Sequence, residues 1–324
     1  MLYHETVEHL RLLTDIDKDD RCTLLKVGFT QQQGRIKQAI RRIHLSKKIN
    51  KIIALPKKFL WYTYSRVLKQ IGDYSTLLIF DGAIEYMDVE FFRLAKQRNP
   101  DIRICLFLIN SYDAGSPVMW AVREHIRDWD WDAIYSFDPD DCRKYGFRYC
   151  GFNYYSMQPV KKDFQTENDC YFVGGLKGER EQLIIDTYNY LNRNGVKCDF
   201  LCKEYVNFEK IVGGIRVIDQ RLPYEQIICD VNKSNCIIEI LQKNQNAPSL
   251  RYFEAICYNK KLLTTNDNIK QYPYFNNKYM KVFHSVYDID IEWIKKNDII
   301  DYKYKGDFSP KMLIDFLQKE ELRD

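Results

Sequence analysis

Long apolar runs are missing from this sequence: none approaches the ~18 consecutive apolar residues that a membrane-spanning helix needs. The chain also does not open with the charged and apolar regions of a secretory signal peptide. These two absences argue against a membrane-spanning or secreted protein. We therefore expect a cytoplasmic protein whose contact with a membrane is peripheral.

Metal-type spacing is missing as well. The ten cysteines are scattered without the paired spacing of a zinc site, and several fall inside apolar runs, where a cysteine behaves as a small hydrophobic residue. His44, His125 and His284 show no ligand spacing either. We expect reduced cysteines and no metal site.

Acidic residues are absent between Thr23 and Gly72. The same segment carries twelve basic residues: Lys26, Arg35, Lys37, Arg41, Arg42, Lys47, Lys48, Lys51, Lys57, Lys58, Arg66 and Lys69. The whole chain has 49 basic and 45 acidic residues, so the remainder holds 37 basic residues against 45 acidic ones, about −8. One surface near the N-terminus is therefore strongly basic.

The sequence does contain an alternation of short apolar strands and helices. A length of 324 residues predicts two domains at about 150 residues each. Parallel strands joined by helices predict α/β domains of the Rossmann-like, doubly wound kind. We place the N-terminal domain at 1–156 and the second at 157–308, with a C-terminal helix at 309–324 that returns to the first domain. Because the first predicted element is a helix, we expect the first domain to lack its first strand.

Three carboxylates, Asp81, Asp113 and Asp138, lie at or just after the ends of predicted strands in the first domain. The carboxyl ends of parallel strands meet at one edge of a sheet, where ligands bind. Each carboxylate is therefore a candidate for the base that takes a proton from an acceptor hydroxyl. The alternative for each is an ordinary turn or helix-cap residue.

The basic segment contains an amphipathic helix pattern, with Ile36, Ala39, Ile40 and Ile43 at helical spacing and the arginines towards the solvated side. Attraction of residues 26–69 to an anionic membrane surface is one interpretation, at about 1 kcal/mol per suitably placed basic residue. A merely solvated helix face is the other. Nucleic acid is not expected as a partner, because no recognised binding module is present and the rest of the chain is acidic.

A glycine-rich turn opens the second domain, between a strand at 170–173 and a helix at 179–193. Its residues are Gly174, Gly175, Leu176, Lys177 and Gly178. Backbone N–H groups and a helix N-terminus at such a turn can bind a diphosphate, and Lys177 and Arg180 could neutralise it. An ordinary strand-to-helix turn is the alternative.

The segment 249–266, SLRYFEAICYNKKLLTTN, predicts a short helix followed by a buried strand. Arg251 and Glu254 are three residues apart and project to neighbouring positions on one helix face. A carboxylate there can accept hydrogen bonds from both hydroxyls of a ribose. The alternative is an exposed ion pair within the helix.

Together these segments resemble bacterial GT-B glycosyltransferases of lipopolysaccharide and capsule synthesis, over most of residues 73–300. The residues that carry the resemblance are Asp132-Ala133-Ile134-Tyr135-Ser136-Phe137-Asp138-Pro139-Asp140-Asp141 with Tyr145-Gly146, then Phe172-Val173-Gly174-Gly175, Lys177 and Arg180, Leu222-Pro223-Tyr224, Ser234-Asn235-Cys236-Ile237-Ile238-Glu239, Ser249-Leu250-Arg251-Tyr252-Phe253-Glu254-Ala255 and Lys261-Leu262-Leu263-Thr264-Thr265-Asn266. The resemblance implies two Rossmann-like domains facing a cleft.

It also implies a donor site. Gly174, Gly175, Lys177 and Arg180 would hold the diphosphate of a nucleotide-sugar, and Glu254 its ribose, within a donor-binding stretch that includes Ser249, Leu250 and Arg251. Retaining members often carry a second glutamate where this chain has Asn246, so the stereochemistry of transfer stays open. The family generally needs no bound metal, and the nucleotide-sugar is a substrate, not a cofactor.

The sequence thus predicts a glycosyltransferase that moves a sugar from a nucleotide-sugar to a lipopolysaccharide, capsule or other glycan acceptor, which is lipid-linked or polymeric. It would work in the cytoplasm, at the inner face of the plasma membrane. Two alternatives stay open: a nucleotide-sugar epimerase of the same fold, and a non-catalytic relative that binds a glycan or a partner protein.

Overall fold

The structure is a computed structural model, and it describes residues 1–4, 12–29, 34–46, 49, 53, 61–113, 117–126, 129–151, 153–160, 164–176, 178–204, 214–218 and 222–322. The chain divides into two compact units. The first comprises Met1–Leu10 and Asp17–Gly151, and the second comprises Arg11–Ile16 and Phe152–Asp324. Each unit is built around its own sheet and its own hydrophobic core.

The first unit contains a six-stranded sheet in which every adjacent pair is parallel. Its strands are β1 (Leu2–His4), β2 (Leu25–Val27), β3 (Thr76–Phe80), β4 (Arg103–Leu108), β5 (Ala133–Ser136) and β6 (Arg148–Tyr149). Its helices are α1 (Arg35–His44), α2 (Tyr64–Leu68), α3 (Val89–Arg98), α4 (Pro117–His125) and α5 (Pro139–Tyr145). The strand order is β2-β1-β3-β4-β5-β6.

The central strands of this sheet are continuous apolar runs. In β3 and β4 every residue after the first is buried, as expected of parallel strands covered on both faces. At the start of α3, Asp88 caps the helix by accepting a hydrogen bond from the Phe91 N–H at 3.2 Å. Aspartate is one of the residues preferred at this position.

The expectation that the first domain lacks its first strand is wrong. Leu2–His4 forms β1, which pairs with both β2 and β3 near the centre of the sheet. Three residues are too few to show the periodicity by which a strand is recognised in a sequence. The predicted helix at 4–14 lies mostly outside the described residues, and His4 itself belongs to the strand.

The second unit contains another six-stranded parallel sheet. Its strands are β7 (Asn168–Leu176), β8 (Cys198–Glu204), β9 (Arg216–Ile218), β10 (Ser234–Glu239), β11 (Lys261–Thr264) and β12 (Met280–Val282). Its helices are α6 (Arg180–Arg193), α7 (Tyr224–Asn232), α8 (Leu250–Cys257), α9 (Ile291–Lys295) and α10 (Lys311–Glu321). Short 3₁₀ turns complete both units: Thr14–Ile16, Ile71–Asp73, Asp81–Tyr86, Asp267–Gln271 and Val286–Asp288.

The strand order of the second sheet is β12-β11-β10-β7-β8-β9. The chain therefore starts in the middle at β7, builds outward through β8 and β9, returns to the centre at β10 and builds outward on the other side. This is the strand order of a dinucleotide-binding Rossmann fold. The prediction of two Rossmann-like α/β domains with parallel sheets, the composition of the GT-B class, is confirmed.

A short N-terminal segment belongs to the second unit. Leu13 and Ile16 are buried there, and the Ser156 hydroxyl donates a hydrogen bond to the Leu12 carbonyl at 2.8 Å. The Ser309 hydroxyl donates to the Asp15 carboxylate at 2.7 Å. The units thus meet in sequence at 151/152, whereas the sequence predicts a boundary at 156, and α10 also belongs to the second unit.

Candidate functional site

The second sheet reverses direction between β7 and β10, which are adjacent although β8 and β9 separate them in sequence. In an open α/β sheet, the connections from two such strands leave on opposite sides of the sheet, so a crevice opens at their carboxyl ends. Two of the sequence-predicted segments lie at this edge: the glycine-rich stretch that ends β7, and the start of α8, which follows β10. The topology therefore brings them into the same half of one domain.

Arg180, the first residue of α6, bridges the two strand ends. Its Nη2 donates a hydrogen bond to the Gly175 carbonyl of β7 at 3.0 Å, and its Nη1 donates to the Ile240 carbonyl, directly after β10, at 2.8 Å. These two bonds fix the orientation of the guanidinium between the two strand ends. The structure thus fixes a positive charge at the switch point, next to a helix N-terminus whose partial charge is also positive.

The glycine pair occupies a different position from the one predicted. β7 continues to Leu176, so Gly174 and Gly175 lie inside the strand and pair with Cys202 and Lys203 of β8. The turn comes afterwards, at Gly178, whose φ of 65° is in the left-handed region. A Cβ at Gly174 would lie 2.9 Å from Phe172 Cζ, so this glycine leaves room for the Phe172 ring; the same Cβ would lie 3.5 Å from Arg180 Nη2, an ordinary contact distance. Lys177 lies outside the described residues.

Glu239 is the last residue of β10, and no role for it is predicted from the sequence. Its Oε1 accepts a hydrogen bond from the Ser249 N–H at 2.7 Å, and its Oε2 accepts one from the Thr264 hydroxyl at 2.5 Å. Burial raises the pKa of this carboxyl, and the hydrogen bonds from Ser249 and Thr264 offset part of that rise. Glu239 therefore ties the start of α8 and the end of β11 to the end of β10. A carboxylate directly after the apolar run Cys236-Ile237-Ile238 was the available signal.

The start of α8 is well defined. Ser249 is its N-cap, with Oγ accepting a hydrogen bond from the Arg251 N–H at 3.3 Å, and Leu250 is the first helical residue. Asn266, after β11, is buried, and its Nδ2 has no hydrogen-bond partner among the described residues. A buried amide donor of this kind at the ligand edge of a sheet is a further candidate that sequence reasoning missed.

Arg251 and Glu254 form a buried pair, so the alternative of an exposed ion pair is wrong. Arg251 Nη2 lies 2.6 Å from Glu254 Oε1, and their side chains are 10% and 0% exposed. The Tyr224 hydroxyl of α7 donates to the same carboxylate oxygen at 2.8 Å, and the Tyr155 hydroxyl lies 3.0 Å from that of Tyr224. We call Tyr155, Tyr224, Arg251 and Glu254 the α8 cluster.

The α8 cluster is short of hydrogen bonds for its degree of burial. Arg251 Nη1 and Glu254 Oε2 are both buried without a hydrogen-bond partner among the described residues. Burial raises the pKa of Glu254, against the opposing effects of Arg251 and Tyr224. A ribose would reach this carboxylate only after neighbouring side chains had moved, so the ribose-binding role of Glu254 stays a prediction.

The carboxyl ends of β3, β4 and β5 do come together in the first unit, as the sequence predicts for parallel strands. Asp81 is fully buried, and its Oδ2 accepts hydrogen bonds from the Ile109 N–H at 3.0 Å and the Asn110 N–H at 3.2 Å, at the end of β4. Burial raises its pKa to about 6, although these hydrogen bonds oppose the rise. Asp81 thus joins two neighbouring strand ends.

Asp138 and Asp113 also make local contacts. Asp138 is the N-cap of α5, and it accepts a hydrogen bond from the Ser111 hydroxyl at 2.6 Å. Asp113 is paired with Lys144 at 2.6 Å and accepts a hydrogen bond from the Tyr145 hydroxyl at 2.6 Å. Partial burial opposes these two contacts, but together they hold the pKa of Asp113 below its ordinary value. A role as catalytic base remains a prediction for all three aspartates.

Membrane spans and metal clusters are both absent from the part of the chain that the structure describes. No helix among these residues is long and apolar enough to cross a membrane. Within the same described ranges, no group of three or more His, Cys, Asp or Glu side chains could hold a metal ion.

No protein-family model matches the chain, and no curated protein sequence matches it. Among solved structures, a candidate UDP-N-acetylglucosamine 2-epimerase from Listeria monocytogenes is similar, at 10% identity over 100% of this chain and 97% of that one, with a TM-score of 0.47. Spinosyn forosaminyltransferase SpnP is similar at 9% identity over 91% of this chain and 88% of that one, with a TM-score of 0.41.

The glycosyltransferase SnogD from Streptomyces nogalater is similar at 7% identity over 81% of this chain and 80% of that one, with a TM-score of 0.35. At these values the similarities carry no argument about the activity or the site of this chain. Its function has to be inferred from its own residues.

Proposed function

We propose that this protein is a metal-independent glycosyltransferase that moves a sugar from a nucleoside-diphosphate sugar to a lipopolysaccharide, capsule or other glycan acceptor. The observation that carries the proposal is the switch point of the second sheet, where Arg180 is fixed between the ends of β7 and β10 at the N-terminus of α6. A crevice of this kind, with a helix N-terminus and an oriented cation, suits a diphosphate.

The chemistry depends on that placement. When the bond between sugar and diphosphate breaks, negative charge grows on the leaving diphosphate. An arginine that is already oriented stabilises the growing charge without reorganising, so it lowers the barrier to transfer. In this proposal Lys177 and the glycine stretch 174–178 contact the same diphosphate, as the sequence resemblance implies.

The α8 residues have two tasks in the proposal. Ser249 and Leu250, at the N-terminus of α8, lie at the edge where the rest of the nucleotide would bind. Arg251 and Glu254 fix the position of α8 through their contacts in the α8 cluster. Glu254 binds the ribose if that cluster opens when the nucleotide binds. Asp81, Asp113 and Asp138 are the proposed sources of a base for an inverting reaction.

The location is also part of the proposal. A lipid-linked acceptor would place the enzyme at the inner face of the plasma membrane, in the cytoplasm. The support is the twelve basic residues between Thr23 and Gly72 with no acidic residue among them, a charge distribution that attracts anionic lipid headgroups.

The first experiment is a thermal-shift panel of UDP-, GDP-, CDP- and dTDP-sugars with the intact protein. A ligand present at about 100 times its Kd stabilises the folded state by about 2.7 kcal/mol, which is readily measured. We expect one nucleotide to raise the melting temperature, and Arg180→Ala and Lys177→Ala to weaken its binding at least tenfold. Lys311→Ala, an exposed lysine on α10 of the same unit, is the matched control and should bind normally.

The second experiment measures the reaction. A glycosyltransferase releases free nucleoside diphosphate in proportion to acceptor supplied, whereas an epimerase converts the donor without any acceptor. If no nucleotide-sugar in the thermal-shift panel stabilises the protein, the proposal is contradicted and a non-catalytic relative is favoured.

A further inference from the structure

Helix α1 presents an apolar face that no described part of the chain covers. Ile36, Ile40 and Ile43 are 77%, 50% and 56% exposed, and none of the ten residues of α1 is buried. The sequence pattern predicts the arginines on the solvated side, but the isoleucines are solvated as well. Single exposed apolar residues are normal on a protein surface, whereas a row of them on one helix face marks an interaction site.

The basic residues of α1 flank this row on both sides. At about 100° per residue, the three isoleucines fall within an arc of about 60°, with Lys37 on one side and Arg35 and Arg42 on the other. No acidic residue lies on the helix or anywhere between Thr23 and Gly72. The face is therefore an apolar strip with cationic borders.

An aromatic residue of the same unit lies beside the helix. The Arg41 guanidinium stands 4.6 Å from the centre of the Phe29 ring, and Phe29 is itself 40% exposed. Phe29 in turn packs against Tyr62 and Tyr86, which anchors it in the unit. At the end of the helix, His44 accepts a hydrogen bond from the Trp61 indole N–H at 2.6 Å. These two contacts hold α1 against the unit, and the three isoleucines stay exposed.

The charge pattern decides between possible occupants. A second copy of this chain would bring two basic helices together, and like charges at such a contact oppose association. Nucleic acid would satisfy the basic residues but would leave the isoleucines in water. A bilayer with anionic headgroups satisfies both, because isoleucines can enter the acyl boundary while lysines and arginines stay at the phosphates.

We propose that α1 is an interfacial helix that lies in the plane of an anionic membrane and inserts Ile36, Ile40 and Ile43 below the headgroups. The inference deepens the peripheral location given under the proposed function and rests on that location, but it does not depend on sugar transfer. It assigns membrane attachment to an inserted helix face rather than to basic charge alone.

The test is co-sedimentation of the full-length protein with vesicles of phosphatidylcholine containing phosphatidylglycerol. We expect binding to these vesicles and little to pure phosphatidylcholine. The triple variant Ile36→Ala, Ile40→Ala, Ile43→Ala keeps all charges and favours the helix, since alanine has the highest helix propensity; it should bind at least tenfold more weakly. The matched control, Val89→Ala, Ile299→Ala, Leu322→Ala, removes three exposed apolar side chains elsewhere and should bind normally.

Insertion has a direct readout. In an Ile40→Trp variant, brominated lipid should quench more tryptophan fluorescence than in the unsubstituted protein, and equal quenching would overturn the inference. So would unchanged vesicle binding by the isoleucine triple, which would indicate attachment by charge alone. Loss of a dimer or of RNA binding in that triple, with vesicle binding kept, would assign the face to another occupant. Nucleotide binding without lipid tests the proposed function separately.

Discussion

Two helices of this chain, α1 and α8, contain similar kinds of residue and lie in opposite surroundings. Each carries isoleucine and arginine within two or three turns, but no residue of α1 is buried, whereas every residue of α8 after Leu250 is buried. The charged pair of α8, Arg251 and Glu254, is buried together with the rest of the helix. The difference shows that burial is decided by what the rest of the fold places over a helix, not by the helix itself.

The covering of α8 comes from distant parts of the second unit. Phe253 packs at 4.9 Å from the Phe308 ring and at 6.3 Å from that of Tyr155, and Tyr252 packs against Tyr272 and Phe308. In α1 the described aromatic contacts are those of Arg41 with the Phe29 ring and of His44 with Trp61, and neither buries a residue of the helix. Stability should therefore depend strongly on α8 and weakly on α1, and membrane binding should show the reverse.

The largest effect is expected from Glu254→Ala. The substitution leaves Arg251 buried without its carboxylate, which costs about 3–5 kcal/mol in free energy of unfolding. The urea midpoint for the second unit should fall accordingly. Glu90→Ala is the matched control, because Glu90 and Arg93 form a pair at the same three-residue spacing on the surface of α3. It should leave the urea midpoint of its own unit, the first, unchanged; an equal fall for both substitutions would contradict the burial of the α8 pair.

Ile256→Ala in α8 is expected to cost about 2–5 kcal/mol, because it removes buried methyl groups and leaves a cavity that the neighbours fill only in part. Chemical denaturation monitored by circular dichroism measures the effect. Nucleotide binding by the folded fraction should persist, since Ile256 is near the C-terminal end of the helix. A neutral result would mean that the core beneath α8 repacks freely.

A third difference concerns pH. Burial raises the pKa of Glu239 and Glu254 above their ordinary value of 4.5, so the folded protein holds protons that the unfolded chain has released. Stability is then greatest below that value and falls as the pH rises through the raised pKa values. Glu254→Gln should flatten this decline, and α1 has no carboxylate that could add to it. Urea midpoints measured from pH 4 to pH 8 test the slope; a stability that rises across this window would contradict it.

Most of the fold could be predicted from the sequence where a segment was long and strongly apolar. The alternation of apolar strands with helices was of this kind, and the fold class followed from it. The three residues of β1 could not be recognised, because a strand that short is defined only by its pairing with β2 and β3. The extension of β7 through Gly174 and Gly175 likewise depends on its register with β8.

The candidate site was predictable only in part. Local signals placed the start of one helix at Ser249 and of another next to Arg180. The bridge from Arg180 to Ile240 spans 60 residues, and the contact of Tyr224 with Glu254 spans 30. Such contacts exist only once the sheet has brought its strand ends together, so no local pattern contains them.

The smallest effect on stability is expected in α1. Ile40→Ala removes a half-exposed side chain that no described core residue surrounds, and alanine is the better helix former, so the free energy of unfolding should change by no more than about 0.5 kcal/mol. Measured beside Ile256→Ala, it compares the same substitution in the two helices. A loss of about 2 kcal/mol or more from Ile40→Ala, the size expected of a core position, would mean that another part of the protein covers the isoleucine face, and α1 would then have no free surface to insert into a membrane. If Ile40→Ala weakens vesicle binding without lowering stability, the exposed face of α1 contacts lipid, whereas the buried residues of α8 contact protein.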